Sequence, residues 1–104
     1  MPIEHIPFNS FSEFYPYYLS EHRNRTCRRL HFIGSSLVLL TLAYVLATQQ
    51  WSLLMALPII GYGFAWVGHF FFEKNKPATF GYFKYSFIAD WVMYVDILRG
   101  KVSI

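Results

Sequence analysis

Three histidines and one glutamate stand where they could do chemistry: His22, His31, His69, and Glu73 four residues beyond the last. Neutral imidazole is a ligand for zinc, copper, iron and nickel. A carboxylate one helical turn away serves either as a further ligand or as the acceptor that fixes a ring. The whole chain holds only four histidines, too few for a histidine-rich two-metal site, so the pattern points to a single metal. His22 and His31 are nine residues apart, half a turn out of phase on a straight helix. A bend at Asn24 or Thr26 would let His22 fold back. His69 lies in Gly61–Ala78, which winds as a helix with Tyr62, Trp66, His69 and Glu73 within about 60° of one another. Beside that stripe runs a small one, Gly61, Ala65, Gly68 and Phe72, that lets another helix approach closely. The plain alternative is three unrelated interfacial histidines and a solvated Glu73 on a packing helix.

The elements that must position these residues are apolar. The 104 residues make one domain and are 55% hydrophobic and 21% aromatic, but only 14% charged. A soluble domain carries about 25% charged residues, so the shortfall points to lipid. Leu30–Ala47 and Trp51–Phe72 contain no Asp, Glu, Lys or Arg. Each is near the roughly 20 residues that cross a bilayer core. Residues 1–20 hold Glu4 and Glu13, no Lys or Arg and no early apolar run, so they do not read as a secretory signal. The single Cys27 rules out an intrachain disulfide.

The net charge of +3 gathers at Arg23, Arg25, Arg28 and Arg29 before the first apolar run and at Lys74 and Lys76 after the second. Because these residues border membrane-length segments, a nucleic-acid patch explains them poorly. The positive-inside rule explains them better and puts both flanks in the cytoplasm, with Thr48–Trp51 as the translocated turn. Arg28 or Arg29 could also touch a lipid head group or a substrate carboxylate.

The expected fold is therefore all-α, a helical integral membrane protein forming a single membrane domain over 1–104. Residues 1–10 are loose, and 11–21 form an aromatic interfacial helix capped by Ser10 or Ser12, with Pro16 in an early turn. Segments 27–48 and 51–73 form a transmembrane αα-hairpin, and 79–99 form a third, C-terminal apolar membrane helix ended by Gly100. With the turn centred at 49.5, His31 stands 18.5 residues before it and His69 19.5 after it. Both imidazoles then share one depth at the cytoplasmic edge, with His22 just outside on the same side. Asp90 would sit about 16 Å deep if its helix spans from Thr79. That depth favours a structural role for it, as a partner of Tyr62 or Trp66, unless the helix is tilted or only half sunk. Asp96 reads as solvated, and Cys27, one turn before His31, as a soft ligand the pattern does not require.

The segments His22-Arg-Asn24, His31-Phe-Ile-Gly34 and Gly68-His-Phe-Phe-Phe-Glu-Lys-Asn-Lys-Pro-Ala78 resemble a family of small membrane proteins long catalogued as a domain of unknown function. Its yeast member is a 2-hydroxy-palmitate dioxygenase of the endoplasmic reticulum. The resemblance spans Phe14 to Arg99, and the Gly-His-x-x-x-Glu-Lys-x-x-Pro-Ala stretch is its most specific part. It implies iron(II)-dependent α-oxidation: a 2-hydroxy fatty acid and dioxygen give a fatty acid one carbon shorter. It also implies Fe(2+) bound by His22, His31 and His69 as the catalytic residues. Glu73 would then be a fourth ligand or a support to the rings, with the acyl tail in the bilayer beside Phe70, Phe71 and Phe72. Asn24 is a further candidate polar residue. The partners are membrane lipid, a fatty-acyl substrate and dioxygen, in a bacterial inner membrane or the endoplasmic reticulum. The small stripe permits a homodimer. Two rival readings are a non-catalytic membrane module and a heme carrier with His31 and His69 as axial pair.

Overall fold

The computed structural model describes residues 8–77 and 81–104. Most of the segment expected to be loose, His5 included, and the expected start of the last helix at 79 lie outside the described residues. In chain order the elements are α1 (Phe11–Ser20), α2 (Arg25–Thr48), a 3₁₀ turn (Trp51–Met55) leading into α3 (Ala56–Val67), a π-helical turn (Gly68–Glu73) and α4 (Phe83–Leu98). There is no strand among the described residues.

Each start has a local cause. Ser10 accepts the Glu13 amide at 3.3 Å while Glu13 Oε1 accepts the Asn9 amide at 3.0 Å, so two orphan donors at the head of α1 are satisfied. Pro16 falls in the second turn of α1, not the first. Asn24 caps α2 by accepting the Cys27 amide at 3.1 Å, so the helix begins at Arg25, two residues before the expected start. Gln49 ends it in left-handed backbone, φ 60°.

Two helical runs, Arg25–Thr48 and Trp51–Glu73, are long and apolar enough to cross a membrane. Their outward faces expose large apolar side chains: Leu40 is 66% exposed, Met55 77% and Ile59 73%. So much apolar surface suits lipid rather than water. The two runs pack antiparallel and close. A methyl at Gly34 would lie 2.8 Å from Phe64 Cβ, and one at Gly68 would lie 2.9 Å from Cys27 Sγ. Gly61 faces Val38 and Ala65 is buried, so the small stripe packs inside this pair of helices, while Phe72 is exposed.

α4, at 16 residues, rises about 24 Å, short of the roughly 30 Å bilayer core. It packs along α1 through Phe14, Tyr18, Ala89 and Met93, all buried. It meets α2 where Tyr94 stacks on Phe32 at 4.8 Å and its hydroxyl lies 2.9 Å from Ser36 Oγ. These contacts fall in the first half of α2, so α4 lies across the end of the helix pair that carries the histidines. Asp96 is not solvated as expected: it accepts the Tyr15 hydroxyl at 2.8 Å. Burial, then that carboxylate, push the Tyr15 hydroxyl pKa above its usual value.

Candidate metal centre

His69 stands in the π-helical turn. Lys74 takes left-handed backbone, φ 58°, and its amide donates back to the His69 carbonyl; the Asn75 amide donates to the same oxygen at 3.0 Å. The widened turn breaks the α-helical phase assumed for Tyr62, Trp66, His69 and Glu73, and such turns re-aim side chains. His69 points at the α1–α2 link, while Glu73 is carried to the Asn24 amide and accepts its hydrogen. Glu73 is thus a clasp on the head of α2, and it lies outside the cluster of potential ligands. Asn24 is the residue clasped, through its amide, and the cap of α2 through its side chain.

His22, His31 and His69 come together and are buried, at 1%, 7% and 2% exposure. The bend capped by Asn24 folds His22 back as the spacing required. The His22 Nε2 lies 3.2 Å from His31 Nε2 and 2.9 Å from His69 Nε2. The three rings stand nearly perpendicular to one another, at 82°, 81° and 89°.

The far side of each ring decides what these nitrogens are. His22 Nδ1 donates to the Tyr18 carbonyl at 2.6 Å, and His31 Nδ1 to the Cys27 carbonyl at 3.0 Å. His69 Nδ1 donates to Asn75 Oδ1 at 2.7 Å; the amide is oriented by its own NH2, which donates to the Glu21 carbonyl at 3.1 Å. Each Nδ1 faces an oxygen and so carries the proton, which leaves three Nε2 lone pairs facing one another. No hydrogen bond can form among them. Burial, then the neighbouring His31 and His69, hold the His22 pKa well below 6.5, so its ring stays neutral. Three buried lone pairs at this range repel unless a cation lies among them. Metal–nitrogen bonds of about 2.0–2.1 Å put two ligand nitrogens about 2.9 Å apart at right angles and about 3.4 Å apart at the tetrahedral angle. The observed 2.9 and 3.2 Å fit that range.

Cys27 belongs to the same group of potential ligands, whose atoms lie within 4.8 Å of one another. Its sulfur is 3.8 Å from the Nδ1 of His31, the side turned away from the Nε2 focus, so it backs the ring. Arg28 is not placed for a substrate carboxylate. Its guanidinium donates to the carbonyls of His22 (2.9 Å), Arg23 (2.7 Å) and Ser103 (2.8 Å), tying the C-terminal tail to the link. Arg29 is exposed and outside the cluster.

Asp90 lines one cavity with Tyr62, one of its two expected partners, and its hydrogen bond goes elsewhere. Its Oδ1 accepts the hydroxyl of Tyr18, whose ring stacks on His22 at 4.0 Å. Burial and then Asp90 raise the Tyr18 pKa well above 10, so its hydroxyl keeps its proton and donates. Tyr18 and Asn75 support the site without having been singled out from sequence. Their nearest signals were the four-residue step from Tyr18 to His22 and the place of Asn75 in the His69–Ala78 stretch.

A cavity of about 250 Å³ opens beside the cluster, between α2, α3 and α4. His31, Ser35 and Asp90 form its polar end, and Val38, Leu57 and Pro58 line it deeper in the helix pair, with Gly61 and Ala65 leaving the space. From His31 to Val38 the helix rises about 10 Å. The exposed Phe70, Phe71 and Phe72 do not line it. A heme between His31 and His69 does not fit, because their ring centroids are 5.0 Å apart and the His22 nitrogen sits against a nitrogen of each.

A family model described as 2-hydroxy-palmitic acid dioxygenase Mpo1-like matches residues 8–102, nearly the whole chain and every residue of the cluster. No curated protein and no solved structure matches the chain.

Proposed function

The chain belongs to the Mpo1-like family, and from that premise we propose that it is an iron(II)-dependent dioxygenase of 2-hydroxy fatty acids. One 2-hydroxy acid and one dioxygen would give the acid one carbon shorter, carbon dioxide and water. The observation that carries this reading is the convergence of three Nε2 lone pairs at the polar end of an apolar cavity. Iron(II) held by three neutral imidazoles would keep positions free for the two oxygens of a 2-hydroxy acid and for dioxygen.

The chain's own residues do the rest. The Tyr18 and Cys27 carbonyls and Asn75 Oδ1 lock the three rings in one tautomer, so no reorganisation is needed when substrate arrives. The cavity takes the acyl chain along Val38, Gly61 and Leu57 and keeps water from the reacting carbons. The basic residues on both flanks of the two apolar runs support a cytoplasmic position for the centre in an integral membrane protein.

The test is metal content joined to turnover. Protein purified in mild detergent without chelator is assayed for iron, zinc and copper, then given iron(II) and 2-hydroxy-palmitate in air. About one iron per chain, oxygen uptake and a 15-carbon fatty acid are expected. His69→Ala should retain no iron. Full iron occupancy in that variant, or no product from iron-loaded protein, would sink the proposal.

A further inference from the structure

Among the described residues Asp90 is the one carboxylate lining the cavity, and the supports of the three rings do not use it. Its Oδ1 is taken by the Tyr18 hydroxyl; its other oxygen accepts no hydrogen bond among the described residues. Asp90 is half-buried, and a carboxylate has more acceptor sites than one donor fills, so a ligand that displaces water from this wall leaves them unmet unless it brings a donor of its own.

The position says which donor. Asp90 and His31 line the same space, and Tyr18 ties Asp90 to the cluster by giving its hydroxyl to Asp90 and its ring face to His22. A 2-hydroxy acid with its carboxylate directed to the cluster carries one other polar group, the hydroxyl on the next carbon, at the polar end of the cavity. That hydroxyl is a donor and Asp90 an acceptor. A plain fatty acid in the same place brings no donor and further shields the carboxylate from water. Resting on the functional reading above, we infer that Asp90, oriented by Tyr18, accepts the hydrogen of the substrate's 2-hydroxyl and so selects 2-hydroxy acids over unsubstituted fatty acids.

Such selection can be large. A site built to hydrogen-bond a substrate hydroxyl rejects the analogue lacking it far more strongly than an apolar pocket rejects a missing methylene. One hydrogen bond corresponds to several-fold to about tenfold in affinity, and to roughly a hundredfold at most where the acceptor is charged.

The experiment measures the ratio of affinities for 2-hydroxy-palmitate and palmitate on metal-loaded protein, by displacement of a fluorescent fatty acid in detergent, with metal content read on the same samples. Asp90→Asn keeps an oxygen for Tyr18 but turns the free arm into a donor. Tyr18→Phe keeps the carboxylate but frees it to swing. Wild-type protein should prefer the 2-hydroxy acid by about tenfold or more. Asp90→Asn should lower that ratio by about tenfold, and Tyr18→Phe should lower it in the same direction and less. Tyr18→Phe carries the test if Asp90→Asn does not hold metal. A wild-type preference that stays within twofold in both variants overturns the role of Asp90 and leaves the dioxygenase reading standing. A wild-type protein that binds both acids alike overturns the two together.

Discussion

Asn75 offers the sharpest test of the metal centre, because it touches a ring but not the focus. Its Oδ1 accepts from His69 Nδ1 at 2.7 Å, and its NH2 donates to the Glu21 carbonyl at 3.1 Å. Asn75→Ala removes the acceptor that Nδ1 has among the described residues, so the ring can rotate and the alternative tautomer gains weight. Loss of such a support costs about 10–100-fold in metal affinity, or about 1.4–2.8 kcal/mol. With metal in excess, that same loss reappears as a smaller metal-induced rise in stability, because a ligand that binds only the native state stabilises it by RT ln(1 + [L]/Kd). The assay is competition against a chromophoric chelator in detergent for wild type, Asn75→Ala and His69→Ala, followed by melting with and without metal. Wild type should bind most tightly, Asn75→Ala 10–100-fold less, and His69→Ala not measurably. If Asn75→Ala binds within twofold of wild type while His69→Ala binds nothing, ring locking by Asn75 is refuted. If all three bind alike, the metal is elsewhere.

Two more outcomes follow from packing and charge. Gly68→Ala sets a methyl 2.9 Å from Cys27 Sγ and 3.1 Å from Cys27 Cα, so the two helices must part by several tenths of an ångström. A loss of about 1–3 kcal/mol is expected in a detergent melt, and Cys27→Ala on the same background should recover part of it, since the sulfur is the nearer obstacle; no recovery would mean the clash is with the backbone alone. Arg28→Ala breaks charge-assisted bonds to the carbonyls of His22, Arg23 and Ser103, and being only half buried should lose about 1–2 kcal/mol of stability. It should also raise amide exchange in residues 101–104 with KM unchanged; a raised KM at unchanged stability would restore Arg28 to the substrate carboxylate.

The sequence carried the site better than it carried the site's surroundings. His31 and His69 could be set at one depth because antiparallel α-helices rise equally, whatever their side chains do. The return of His22 was legible because Asn24 is a capping residue between two helical patterns. The reach of Glu73 to the Asn24 amide was not legible because its position was counted at α-helical pitch, and the six residues from Gly68 to Glu73 wind as a π turn. That widening is set by tertiary closure onto Cys27 and by Lys74 in left-handed backbone, which periodicity does not register. The bond from Tyr18 to Asp90 was not legible for a related reason. Depth along a spanning helix was reckoned for a segment whose 16 residues lie against α1 and the near half of α2. Arg28 looked available because a sequence shows its charge and not the carbonyls of a tail 75 residues away.

The positions of the three histidines also say what an ion would do for the fold. α1 packs on α4 through Phe14, Tyr18, Ala89 and Met93, while α2 packs on α3 through Gly34, Gly61 and Gly68. Among the polar contacts that join the two pairs are Ser36 with Tyr94, Asn75 with Glu21, and Arg28 with the His22, Arg23 and Ser103 carbonyls. His22 sits in the link leaving α1, His31 on α2 and His69 in the turn ending α3, so one ion would tie all three segments at a point. Because the three lone pairs repel without it, its binding free energy is in part folding free energy. Metal removal should therefore loosen the seam between the two helix pairs before it melts either pair. Amide exchange should rise first at residues 21–24 and 73–76, with the middle of α2 still protected. Uniform exchange across all helices on chelation would show instead that the ion is not the joint.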